Sequence, residues 1–112
     1  MAINELGSRK ETKYQYRRRG VRLNSRVSVA VEWGADGKTS RGEAYTRIVG
    51  PYGCLIVLPN NLELEQRIRV TNLVTNATCE ATIVWKGNQR AEGWELGIEL
   101  IDPEMDFWGL DL

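Results

Sequence analysis

Histidine is absent from this 112-residue chain and cysteine occurs only twice. Without an imidazole there is no ready base for a serine or cysteine nucleophile. With no CxxC pair either, there is no zinc-binding ligand set. No Walker loop or GxSxG elbow takes their place. Glu63 and Glu65 alternate as carboxylates do on a solvated strand or loop face. The sequence therefore reads as a non-catalytic binding module with no cofactor.

Long apolar runs are also missing. A helical membrane span needs about 18 to 20 consecutive apolar residues, and no stretch approaches this. The opening MAINELGSRKETK has no apolar segment of the ~7 to 15 residues that a secretory signal requires. A cytoplasmic protein is the expectation. Cys54 and Cys79 agree with it, because both sit in apolar surroundings (GCLIVL and ATCEATIVW) where a free thiol behaves as a small hydrophobe.

Net charge is zero too, with 15 basic and 15 acidic residues, yet the balance hides an asymmetry. Through residue 26 the basic residues are Arg9, Lys10, Lys13, Arg17, Arg18, Arg19, Arg22 and Arg26, against Glu5 and Glu11 alone. From Ala91 to Leu112 every charged residue is acidic. Such halves suggest an anion-binding arm and a separate acidic surface, or two surfaces that attract each other.

From Ser25 onward the dominant period is two, the signature of half-buried strands. RVSVAVEW places Val27, Val29, Val31 and Trp33 on one face and Ser28, Ala30 and Glu32 on the other. GADGK offers an Asp-Gly hairpin turn, and TSRGEAYTRI is the return strand, polar enough to be near an edge. GPYG is a turn. CLIVLP, RIRVTNL, CEATIVWKG and WELGIELI supply four more strands, with TNAT as a turn and GNQRAEG as a loop. In the tail, Asp102 as a cap and Pro103 at a first helical position predict a short helix ending near Gly109. Its aromatics, Phe107 and Trp108, are expected as lids on the core. Six short strands with turn signals about every ten residues argue a small antiparallel barrel or sandwich.

The order of these elements resembles the PilZ domain, a small β-barrel family whose usual ligand is the bacterial second messenger cyclic di-GMP. The likeness covers about residues 17 to 101: an arginine cluster ahead of the first strand, a hairpin, a Gly-containing turn leading into CLIVL, and a late WELGIEL strand. It implies an all-β, six-stranded antiparallel barrel over residues 17–112, here with the short C-terminal helix, behind a flexible basic leader at 1–16. The family's RxxxR motif matches Arg18 and Arg22 in RRGVR, with Arg17 and Arg19 beside them. Arg22 and Arg26 have the same spacing. Guanidinium groups donate in pairs to the guanine O6/N7 edge or to phosphate, and they stack on purines. The family's D/N-x-S-x-x-G motif falls at the second-to-third strand turn. Setting its glycine on Gly53 puts Ile48 at the Asp/Asn position and Gly50 at the Ser position. An isoleucine offers neither the polar grip on guanine nor the support of an arginine, whereas Gly50 and Gly53 leave backbone N–H groups able to form an anion nest.

The resemblance implies bacterial second-messenger signalling, with cyclic di-GMP as ligand and Arg17, Arg18, Arg19, Arg22, Gly50 and Gly53 as its contacts. The alternative is a degenerate PilZ-like domain acting as a protein-interaction adaptor, through the acidic, aromatic tail Pro103 to Leu112 or through Ile48 and Tyr52. A solvated basic leader is the bland account of the arginines. Nucleic-acid binding is disfavoured by Glu43, Glu80, Glu95 and Glu99 on the strand faces, which would repel a polyanion.

Overall fold

In the computed structural model, which describes residues 22–110, the period-two pattern becomes six strands. They are β1 (Ser28–Ala35), β2 (Lys38–Gly50), β3 (Gly53–Leu58), β4 (Arg67–Asn72), β5 (Thr78–Arg90) and β6 (Gly93–Leu100). All pairings are antiparallel, and the ring closes in the order β1-β2-β3-β6-β5-β4, with β4 returning to β1. Closure gives every strand a neighbour on both sides, so among the described residues open edges are confined to where the β1–β2 and β5–β6 hairpins overrun the ring.

Alternation decides what lies inside. Val29, Val31, Ile56, Leu58, Ile68, Val70, Ile83, Leu96 and Ile98 fill the barrel and are almost wholly shielded. Each such burial contributes about 1.5–3 kcal/mol. At the β1–β2 hairpin, Asp36 (φ 53°) and Gly37 (φ 75°) both take left-handed backbone. That is the primed turn predicted from the Asp-Gly pair, and it suits the right-handed twist of the flanking strands.

Three expectations are corrected. β2 is an edge only in its first part: it lies between β1 and β3, with Thr46 to Gly50 paired to β3 and Lys38 to Tyr45 paired to β1 alone. Its polar start, Lys38 to Glu43, belongs to the largely exposed arm of the β1–β2 hairpin. GNQRAEG is mostly not loop, because β5 runs on to Arg90, which pairs with Gly93 and leaves only Ala91 and Glu92 at the tip.

The third correction concerns the tail. No helix forms among the described residues, and the segment after β6 is a run of bends and turns. Asp102 departs from helical backbone at φ 48°, and the later turns are closed by Phe107 N donating to Glu104 O (3.1 Å) and Gly109 N to Asp106 O (2.8 Å). Two forces oppose a helix. A segment this short must bear the whole nucleation penalty. Consecutive helical residues also point about 100° apart, whereas Phe107 and Trp108 are both driven into the core, at 2% and 4% exposure. Their rings meet edge to face with centroids 4.9 Å apart. Buried Asn72 holds the plug by donating from Nδ2 to Phe107 O (2.9 Å), while its Oδ1 accepts from Val74 N (2.9 Å).

Candidate ligand-binding cleft

The lead-in to the barrel is pinned along β2. Leu23 N donates to Val49 O (2.8 Å) and Val49 N returns the bond to Leu23 O (2.9 Å). Further along, Val27 N donates to Thr46 Oγ1 (2.8 Å), and that hydroxyl donates to Ser25 O. This two-point attachment fixes Arg22 at the rim of a cleft of about 490 Å³ on the barrel's outer surface. Such a volume is ordinary for a small-ligand site.

The cleft is built around the β2–β3 turn. Gly50 pairs with Gly53, and Pro51 and Tyr52 form the tip. The turn is tied from two sides: Trp108 Nε1 donates to Gly50 O (2.8 Å), and Leu100 N donates to Tyr52 O (2.8 Å). Gly53 is required by packing. A Cβ there would lie 2.3 Å from Ile98 O on β6, far inside ordinary contact.

Beyond the turn, a row of outward positions crosses the sheet. Ile48 pairs with Leu55, Leu55 with Gly97, and Gly97 with Trp85. Trp85 is half-exposed and lies over the two glycines: a Cβ at Gly87 would meet its ring at 2.3 Å, and one at Gly97 would meet its Cβ at 2.9 Å. The cleft thus offers one guanidinium, one flat indole, apolar walls from Ile48, Leu55 and Val84, and the carboxylate of Glu99. Cys54 also borders it, with a thiol that burial pushes up to about 12 and so keeps protonated.

Of the residues predicted from the sequence, Arg22, Gly50 and Gly53 converge on this cleft, as does Ile48. Arg17, Arg18 and Arg19 lie outside the described residues, as does the leader at 1–16. Arg26, which repeats the motif's spacing, is sent elsewhere. Its guanidinium stacks 3.9 Å from the Tyr45 ring centroid and lines a separate groove with Arg47 and Glu92. Among the described residues, no cluster of Cys, Asp or Glu could hold a metal ion.

Sequence reasoning missed Trp85 and Glu99 as cleft residues. Uninterrupted alternation from Cys79, Ala81 and Ile83 turns Trp85 inward. A register shift between Ile83 and Trp85 puts it outside instead, as a β-bulge does. The available signal was Gly87 and Gly97, small residues either side of a large ring. Next to the cleft, buried Glu95 accepts from Asn88 N (2.9 Å) and Arg90 Nε (2.6 Å). The Asn88 backbone bond, then the Arg90 bond, hold its carboxyl below the usual range.

Comparison with protein families, with curated proteins and with solved structures found no match to this chain.

Proposed function

We propose that this chain is a non-catalytic PilZ-type module of bacterial second-messenger signalling, binding cyclic di-GMP in the cleft beside the β2–β3 turn. The observation that carries the reading is convergence. Arg22, from the arginine cluster, and Gly50 and Gly53, from the turn, border one small-ligand cleft although 28 positions separate Arg22 from Gly50. The six-stranded closed barrel is the architecture that the PilZ resemblance implies. In this cleft Arg22 donates to phosphate or to the guanine edge. Trp85 adds a face on which a purine stacks, a contact worth about 1–3 kcal/mol per base. Arg17, Arg18 and Arg19, which lie outside the described residues, are proposed as further contacts of the same ligand.

Calorimetric titration of cyclic di-GMP into the protein, with Arg22→Ala as the comparison, tests the reading. Saturable heat that the substitution abolishes or weakens at least tenfold supports it. An absence of heat at high ligand concentration refutes it.

A second reading, a PilZ-like adaptor that binds protein in place of nucleotide, is favoured by the apolar walls Ile48, Leu55 and Val84. Under that reading the tail contributes little aromatic surface, because Phe107 and Trp108 are turned into the core. Ile48→Asp combined with Gly50→Ser separates the two: it tightens nucleotide binding in the first case and abolishes partner capture in the second.

A further inference from the structure

Glu99 stands on β6 directly across from Gly53 and borders the same cleft as Arg22. It is exposed, and it is the one acidic side chain among the described residues that line this cleft. Among the described residues, the ion pairs engage Glu43, Glu80, Glu92 and Glu95 and pass Glu99 by. Glu99 is hydrated while the cleft is open, but a ligand that fills the cleft beside it displaces that water and must offer donors in its place, since the walls Ile48, Leu55 and Val84 have none on their side chains.

Guanine presents two donors side by side, N1–H and the 2-amino group. A carboxylate accepts both at once in a fork. Adenine presents at the same edge an N1 acceptor, which a carboxylate repels. Ile48, at the position where the resembling family has Asp or Asn, accepts nothing. Next to a ligand phosphate the Glu99 charge opposes binding unless a base supplies that pair of donors, so its presence makes the cleft discriminating.

We propose that Glu99 is the guanine-reading residue of the cleft, doing from β6 what Ile48 does not do from β2, with the base lying against Trp85 and Arg22 engaging phosphate. The assignment rests on the cyclic di-GMP reading above and adds its specificity determinant.

The test titrates cyclic di-GMP and cyclic di-AMP into the wild-type chain, Glu99→Gln, and Glu99→Gln carrying Ile48→Asp. The expected result is a guanine preference of about 10- to 100-fold in the wild type. Glu99→Gln should bring it close to parity by weakening the guanine ligand, and Ile48→Asp should restore it. Cyclic di-GMP bound equally by wild type and Glu99→Gln overturns the assignment and leaves the site reading standing. A wild type that binds no cyclic dinucleotide refutes the site reading. GMP and AMP, followed by NMR at the Glu99 amide and the Trp85 indole, then decide Glu99 on its own. Shifts with GMP alone keep its role, and equal or absent shifts end it.

Discussion

Replacing Gly53 by alanine separates a glycine kept for folding from one kept for a ligand. The added methyl would sit 2.3 Å from Ile98 O, 3.4 Å from Ile98 C and 3.6 Å from Glu99 Cα. Those atoms are backbone, so no side chain can swing aside. β6 must retreat by roughly 1 Å to restore ordinary contact, and the β3–β6 ladder stretches with it. Overpacking of this kind costs about 1–3 kcal/mol, and weakening one or two ladder bonds adds about 1 kcal/mol more. The expected loss is about 2–4 kcal/mol, or a fall in Tm of roughly 10–25 °C for a domain this size. Gly37→Ala is the contrast: nothing lies within 4 Å of its Cβ, but φ is +75°, so only backbone strain of about 1–2 kcal/mol is expected. Urea denaturation with thermal melts by circular dichroism measures both. If Gly53→Ala stays within about 0.5 kcal/mol of wild type, the packing argument is wrong. The glycine would then count as evidence for close approach of a ligand.

Trp108→Phe keeps the ring in the core but leaves the buried Gly50 carbonyl without its indole donor. It should lose about 1–3 kcal/mol and speed amide exchange at the β2–β3 turn; an unchanged urea midpoint would count against that link. Cys54, whose thiol burial raises to about 12, should react slowly with a thiol reagent at pH 8 in the folded protein and rapidly in urea, and fast native labelling contradicts this. Glu95 is held ionised in the folded state, so its contribution is fully present above the ordinary carboxylate range and lost as pH falls through its lowered value. Glu95→Gln should therefore be less stable at neutral pH and should lose less on acidification than wild type. Parallel acid limbs for the two proteins would show that the Asn88 and Arg90 bonds do not act in this way.

The barrel was legible because its determinants are local and repeated. Val29 and Val31, Val70 and Ile68, Leu96 and Ile98 each announce an inner face by period two, and Asp36-Gly37 announces its own turn. The tail was misread for the opposite reason. Asp102 and Pro103 are sound local signals for a helix start, but Phe107 and Trp108 are claimed by the open end of the barrel, with Asn72 and Gly50 as distant partners. Helix signals in so short a segment are worth a few tenths to about 1 kcal/mol each, whereas burying one large aromatic side chain is worth about 1.5–3 kcal/mol. Tertiary burial wins.

The same division runs through the cleft. Arg22, Gly50 and Gly53 could be nominated from the sequence because each belongs to a short pattern with a chemical reason behind it. Trp85 and Glu99 could not, since what qualifies them is position across strands: the Ile83–Trp85 register shift that turns the indole outward, and the β3–β6 register that sets Glu99 against Gly53. Neither register can be read from a single strand. Arg26 shows the converse. It has the motif's spacing from Arg22, yet the bonds that pin the lead-in to β2 leave it stacked on Tyr45 in another groove. Equal spacing along an irregular lead-in carries no common direction, whereas equal register across a closed sheet does. Trp85 and Glu99 therefore owe their place at this cleft to the sheet itself, as Arg26 owes its place in another groove to the lead-in.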